Sequence, residues 1–94
     1  MERRKIMFYK IQAAEPCQGL VLRILFQNGV TKYYDVAPLL DRWEPFKALQ
    51  DVPGLFSLVK VDAGGYGISW NDDIDLECND LWEFGTDYLP ETVV

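Results

Sequence analysis

Apolar and polar positions alternate most clearly near the C-terminal end of the chain, in the segment YGISWNDDIDLECNDLWEFG that runs from Tyr66 to Gly85. An extended conformation over Ile74–Glu77 puts Ile74 and Leu76 on one face. It puts the acidic side chains on the other: Asp73, Asp75 and Glu77. This period of two residues predicts a half-buried strand. A strand at 67–70 and a turn at 71–73 precede it, so the pattern predicts a hairpin.

A short helix is predicted after this hairpin. Asn79 is a residue type that caps helix N-termini, and Asp80 would lie in the first turn, where the helix dipole favours a carboxylate. Gly85 suits the position after the last helical turn. The pattern therefore predicts a helix over Asp80–Phe84, only about one turn long, which must be held in place by packing.

The pattern of the N-terminal half of the chain predicts three strands. The first covers Lys5–Ala14 with period-two alternation, and Glu15-Pro16 to Gly19 is expected to break it. Leu20–Phe26 is the clearest strand of the chain, with Leu20, Leu22, Ile24 and Phe26 on one face, which indicates a central position.

Asn28-Gly29 predicts the turn of a second hairpin, because both residues accept the positive φ of a type I′ turn. The returning strand covers Val30–Asp35. Its register stays open: a two-residue loop pairs Phe26 with Thr31, and a three-residue loop with a glycine bulge pairs it with Val30.

The period changes after this hairpin. Asp35 is a candidate cap, Pro38 fits a first helical turn, and residues 43–50 predict a second helical piece that Pro53-Gly54 ends. A fourth strand is predicted at 57–62, followed by a turn at 63–65. The chain therefore predicts one small α+β domain over 1–94, mostly antiparallel, with a tail at 86–94 that lacks a period and is expected to fray.

Charge is distributed unevenly along the chain. Residues 1–60 hold nine basic and six acidic residues, a balance of +3, whereas 61–94 hold nine acidic and no basic residues, a balance of −9. Such an acidic surface repels phosphate and attracts basic proteins, which disfavours direct nucleic-acid binding. The alternative is a solvated acidic face that only serves solubility.

Several chemistries are disfavoured by the residue types present. The chain has no histidine, which removes the usual nucleophile pairs and zinc motifs, and neither Cys17 nor Cys78 has a base partner in the pattern. The run Asp73 to Glu77 lacks the glycine of a calcium loop. We expect no enzyme activity, no cofactor and no metal site. Without a signal sequence or a long apolar run, we expect a cytoplasmic protein with free thiols and no membrane partner.

The order of these segments resembles a known family. The segments are LRILFQNGVTKYYDVAPLL, PGLFSLVKVDAGGYGISW and NDDIDLECNDLWE. Together they are similar to the bacterial family catalogued as domain of unknown function 2442, over about residues 6–84. The resemblance implies a small α+β domain without an assigned catalytic site. Some members of this family are followed by a helix-turn-helix segment, which we do not expect in a chain ending at Val94. For other members the resemblance implies an antitoxin role beside a small toxin-like protein.

These observations lead to a hypothesis of partner binding. We expect a non-catalytic, antitoxin-like module that binds a basic protein, because the acidic third can attract one. The candidate contact residues are the carboxylates Asp73, Asp75, Glu77 and Glu83 and the aromatic anchors Trp43 and Trp82. The alternative is a stand-alone regulatory domain that binds a small ligand or forms a homodimer through a sheet edge.

Overall fold

The computed structural model describes residues 7–90, which form two antiparallel sheets of three strands and several short helices. The strands are β1 (Ile11–Pro16), β2 (Val21–Phe26), β3 (Thr31–Asp35), β4 (Lys60–Val61), β5 (Gly67–Asn71) and β6 (Ile74–Glu77). The α-helices are α1 (Ala48–Asp51) and α2 (Cys78–Phe84), and 3₁₀ helices cover Ala37–Asp41, Glu44–Lys47, Phe56–Leu58 and Ala63–Gly65. The predicted α+β class is confirmed.

β2 is the central strand of the first sheet, whose order is β1-β2-β3. Leu22, Ile24 and Phe26 are completely buried on one face, while Arg23 between them is exposed and pairs with Glu15 across the strands. The second sheet has the order β4-β5-β6. The segment between the two sheets, residues 36–59, is called the crossover, and it shares one core with residues of both sheets. The period of two in β2 therefore predicted its buried face correctly.

The first hairpin closes with the longer of the two loops that the sequence left open. Leu25 pairs with Thr31, and the N–H of Phe26 donates to the carbonyl of Val30 at 2.8 Å, so the loop has three residues. Gly29 has a φ of 91°, whereas Asn28 does not have a positive φ. Of the two alternatives, the two-residue type I′ turn is therefore not formed, and the three-residue loop that pairs Phe26 with Val30 is confirmed. Gly29 alone takes the left-handed conformation, as in a hairpin with a glycine bulge.

β1 lies further along the chain than predicted. It starts at Ile11 and includes Pro16, which was expected to break it, and a bulge between Ile11 and Ala13 interrupts the alternation. An edge strand tolerates a terminal proline because the missing N–H is not needed for the ladder. Residues 7–10 lie outside the strand, and the predicted strand residues 5 and 6 lie outside the described part of the chain.

The crossover contains the predicted helical pieces, but the predicted fourth strand is mostly wrong. Phe56–Leu58 is a 3₁₀ helix, and only Lys60–Val61 pair with β5. The indole N–H of Trp70 donates to the carbonyl of Phe56 at 3.0 Å, and their rings stack 5.9 Å apart, which holds this turn. Asp35 accepts the N–H of Ala37, although Val36 occupies the helix cap position.

α2 starts two residues earlier than predicted, and Asn79 is not its cap. Glu77 occupies the cap position without a side-chain hydrogen bond, and Asn79 lies inside the helix. Gly85 ends the helix with a φ of −73°, so its role is not a left-handed turn. A Cβ there would lie 2.5 Å from the carbonyl oxygen of Leu81, so close packing requires the glycine.

The start of the C-terminal tail is attached to the first sheet. Thr86 and Tyr33 form an antiparallel bridge, with both N–H···O distances at 2.8 Å. This bridge holds the end of α2 beside β3. Residues 91–94 of the predicted fraying tail lie outside the described residues.

Candidate partner-binding site

Two grooves adjoin on the surface between the crossover, β6 and α2. The first, which we call the tyrosine groove, has a volume of about 540 Å³. Its lining includes Tyr33, Tyr34, Asp35, Pro38, Arg42, Phe84 and Pro90. The second, which we call the acidic groove, has a volume of about 330 Å³ and is lined by Pro45, Phe46, Asp73, Asp75 and Glu77. Trp43, Leu76 and Asp80 line both grooves, so they form the ridge where the two meet.

Trp43 is placed on this ridge by a break in the helical crossover. It lies between two 3₁₀ helices with an extended backbone at φ −130° and ψ 121°, and its N–H donates to the carbonyl of Leu39 at 3.1 Å. Its ring contacts the buried ring of Phe46 at 5.7 Å between centroids, yet Trp43 remains 50% exposed. A fixed backbone and one packed edge thus present a large aromatic surface to solvent.

Two of the acidic side chains, Asp75 and Glu77, come from the exposed face of β6, whereas Asp73 lies in the turn before the strand and not on its face as predicted. Ile74 and Leu76 are buried and Asp75 and Glu77 are exposed, which confirms the predicted alternation over 74–77. The Asn71 side chain accepts the N–H of Asp73 at 2.9 Å and fixes the turn that starts the strand. The hairpin therefore aligns these carboxylates along one wall of the acidic groove.

The groove carboxylates are not neutralised by ion pairs within residues 7–90. The two ion pairs in this range join Arg23 to Glu15 and Lys47 to Glu44, and neither involves a groove carboxylate. Asp80 extends the acidic lining from α2, while Arg42 lines the tyrosine groove. The acidic groove consequently carries a net negative field that a cationic group can enter.

Tyr34 lies in the tyrosine groove in a half-buried position. Burial raises the pKa of its phenol above the ordinary value, and the nearby carboxylate of Asp80 raises it further, while Arg42 has the opposite effect. Tyr34 therefore stays protonated at neutral pH and keeps a hydrogen-bond donor at the groove.

Trp82 and Glu83 lie on a different surface. The Trp82 ring stacks on Tyr9 with centroids 4.0 Å apart and meets the edge of Phe26 at 5.0 Å. Lys32 covers the same ring, with its Nζ 4.2 Å from the centroid and 2.6 Å from the Trp82 carbonyl oxygen. Trp82 thus joins the N-terminal segment, β2 and α2, and exposed Glu83 lines a separate shallow cleft with it.

Four of the six predicted contact residues are brought together by the structure: Trp43, Asp73, Asp75 and Glu77 line the acidic groove. Sequence reasoning missed Asp80 and Phe84, which line the tyrosine groove from α2. The spacing of four residues places two side chains on one face of a helix, and this signal was available in the sequence. Trp82 and Glu83 fall on the other side of the same helix.

The next features concern metal binding and the reactivity of the cysteines within residues 7–90. No three His, Cys, Asp or Glu side chains within 7–90 are grouped to hold a metal ion. Both cysteines are free thiols, and burial raises the pKa of Cys78, so its thiol stays protonated at neutral pH. Within the same range, no helix combines the length and the apolar character needed to cross a membrane.

Comparisons with known proteins give one finding. No curated protein and no solved structure matches the chain. A family model described as "Protein of unknown function (DUF2442)" matches residues 11–87, close to the range over which the sequence resembled that family. Since the match covers most of the 94 residues, the chain belongs to the DUF2442 family.

Proposed function

We propose that this protein is a non-catalytic binding module that holds a basic partner protein at the two adjoining grooves, with Trp43 as the aromatic anchor. The observation that carries the proposal is the position of Trp43. A half-exposed indole lies on the ridge between an apolar groove and a row of carboxylates without ion-pair partners in residues 7–90. Aromatic anchors beside complementary charge are typical of the energetic centre of protein interfaces.

The two grooves would contribute differently to binding. Burying the Trp43 ring would provide most of the affinity, because removing a large aromatic surface from water contributes more binding free energy than other side-chain contacts do. The carboxylates Asp73, Asp75 and Glu77 would mainly speed association with a cationic surface and exclude acidic proteins. Salt screens exposed charges, so the carboxylate contribution should fall as ionic strength rises.

The finer form of the proposal is an antitoxin-like role in the cytoplasm, with a small basic protein as the partner. Support for it comes from the −9 charge balance of residues 61–94 and from the resemblance that first suggested such a role. The acidic groove also offers a surface whose charge is complementary to that of a basic partner.

A second candidate function is the binding of a small ligand in the tyrosine groove. Its volume of about 540 Å³ lies within the range of small-molecule sites, and Tyr34 and Arg42 offer polar groups beside apolar walls. A thermal-shift screen of metabolites tests this candidate, because a ligand that binds the folded state raises the melting temperature. A homodimer through the acidic groove is disfavoured, since it would bring like charges together.

The experiment that tests the main proposal is capture of partners from the native host by the tagged chain at low and high salt. We expect a stoichiometric basic protein that elutes at high salt. Trp43→Ala should weaken its binding about 30-fold, the effect of losing a hot spot of about 2 kcal/mol. Asp73→Lys with Asp75→Lys should slow association and weaken binding at low salt, and this loss should become smaller at high salt.

Matched variants control for folding and for total charge. Leu58→Ala removes an exposed apolar side chain outside both grooves, and Asp51→Lys with Glu15→Lys makes the same charge change at exposed positions outside both grooves. These controls should bind the partner normally. The proposal is wrong if the eluate contains no basic partner at either salt, or if the groove variants bind like their controls.

A further inference from the structure

The outer edge of β6 is unpaired in the described part of the chain. β6 is the last strand of the second sheet and pairs with β5 on its other side. The single isolated bridge within residues 7–90 joins Tyr33 to Thr86 and lies on the first sheet. A strand edge of this kind presents backbone N–H and C=O groups that can pair with another chain.

The register shows which backbone groups point outward. The N–H of Cys78 donates to the carbonyl of Tyr66, and the N–H of Asp62 donates to the carbonyl of Gly67 on the opposite side of β5. Hydrogen-bonded pairs alternate along an antiparallel ladder, so Leu76 bonds to Ile68 whereas Asp75 and Glu77 do not bond to β5. The backbone N–H groups of Asp75 and Glu77 therefore point to the outer edge.

This edge lies within the acidic groove. Asp75, Leu76 and Glu77 are consecutive residues of β6 that all line the groove, and Asp73 lines it from the turn before the strand. Since the inner edge of β6 is paired with β5, a groove lined by three consecutive residues of the strand lies beside its outer edge. Trp43 and Phe46 line the same groove, so both carboxylates and aromatic rings border the space beside the edge.

We infer that an extended segment of a basic protein adds to β6 as a fourth strand, with basic residues at alternate positions. This inference rests on the proposed function and specifies how the partner is held. Cross-strand neighbours on one face lie about 4.5–5.5 Å apart, so side chains opposite Asp75 and Glu77 meet carboxylates. The intervening side chains face Leu76 and Trp43, which favours apolar residues there. The recognised segment thus alternates Lys or Arg with Val, Ile or an aromatic residue.

The charge of the β6 edge also determines which kind of strand can pair with it. Exposed charges on an edge strand prevent pairing between identical copies, because two such strands would align carboxylates against carboxylates. The same carboxylates attract a cationic strand. A second copy of this chain is therefore excluded by the feature that selects a basic segment.

The test uses the full chain and a synthetic peptide of alternating lysine and valine, with binding measured by fluorescence anisotropy at low salt. A scrambled peptide of the same composition, with its lysines in one block, is the control for charge alone. We expect the alternating peptide to bind and the scrambled peptide to bind at least about tenfold more weakly, because it cannot place cations and apolar groups on opposite faces.

Backbone methylation distinguishes edge pairing from side-chain contact. Two further peptides carry N-methyl groups either on all lysines or on all valines. Because alternate residues of a strand direct their N–H groups to opposite edges, one set should lose about tenfold or more in affinity and the other should bind like the parent. Equal affinities of the two methylated peptides, or no binding of the alternating peptide, would overturn the inference.

A pair of variants of the protein tests the same backbone pairing by changing β6 instead of the peptide. Asp75→Ala and Asp75→Pro both remove the carboxylate, but only proline removes the outward N–H, and an edge strand tolerates proline. Asp75→Pro should bind the alternating peptide about tenfold more weakly than Asp75→Ala. If the proline variant does not fold, the methylated peptides still test whether a peptide pairs with the β6 edge, because they are used with the wild-type chain. If the host's basic protein binds through Trp43 while the methylated peptides bind equally, edge pairing fails and the proposed function stands.

Discussion

The side-chain oxygen of Asn79 accepts a hydrogen bond from the backbone N–H of Tyr9 at 3.0 Å, across 70 positions of the chain. Its amide nitrogen donates to the carbonyl of Met7 at 2.9 Å. One asparagine on α2 therefore satisfies two backbone groups of the segment that precedes β1, in the manner of a neighbouring strand. Tyr9 also stacks on Trp82, one helical turn further along α2.

Replacement of Asn79 should release this N-terminal segment. Asn79→Ala removes both hydrogen bonds, so we expect the free energy of unfolding to fall by about 1–2 kcal/mol. Hydrogen exchange at the Tyr9 amide should become fast. Asn79→Asp is the matched control, because it keeps the acceptor for Tyr9 and loses the donor to Met7. A Tyr9 amide that stays protected in Asn79→Ala would contradict this account.

The two candidate tryptophans should differ in their contribution to stability. Trp82→Ala removes a ring packed against Tyr9, Phe26 and Lys32, so it should cost about 2–4 kcal/mol in urea unfolding. Trp43→Ala removes a half-exposed ring and should cost less than about 1 kcal/mol. Equal losses would mean that Trp43 is a core residue and would weaken its assignment as a partner anchor.

Two glycines with positive φ should respond differently to alanine. A Cβ on Gly65 would lie 2.5 Å from the carbonyl oxygen of Ile11, whereas a Cβ on Gly29 would have no atom within 4 Å. Gly29→Ala should cost about 1–2 kcal/mol from backbone strain alone. Gly65→Ala should cost about 2–4 kcal/mol, because the clash with β1 adds to the same strain. Thermal unfolding of the two variants checks the difference, and similar melting temperatures would contradict it.

Tyr34 should make stability depend on pH in the alkaline range. Burial raises the pKa of its phenol above the value of 10.0 that applies to the unfolded chain. Between these two pKa values the folded state binds the additional proton, so the stability that Tyr34 contributes is complete below pH 10 and is lost as pH rises through the folded pKa.

Urea unfolding of the wild-type chain and of Tyr34→Phe at pH 8 and pH 11 measures this contribution. The wild type should lose more stability between the two values than Tyr34→Phe, since phenylalanine has no proton to release. Parallel losses in the two proteins would show that other groups cause the alkaline effect.

The sequence alone determined the features that depend on neighbouring residues. Alternation over 20–26 and 74–77 identified the buried faces of β2 and β6, and the glycine of the first turn indicated a hairpin. It also identified Asp75 and Glu77 as the exposed face of β6. These features follow from a period of two and from turn chemistry, which act within a few positions and so are visible in the sequence.

Only the tertiary structure decided the features that depend on distant residues. Asn79 resembles a helix cap locally, but it binds a segment 70 positions away, and the packing of Trp82 depends on Tyr9, Phe26 and Lys32. The ridge at Trp43 likewise arises where the crossover meets the second sheet, and so does the edge of β6 that no other strand within residues 7–90 covers. Local sequence patterns do not predict such contacts, because a contact between distant residues depends on the packing energy of the whole core and not on the conformational preference of one segment.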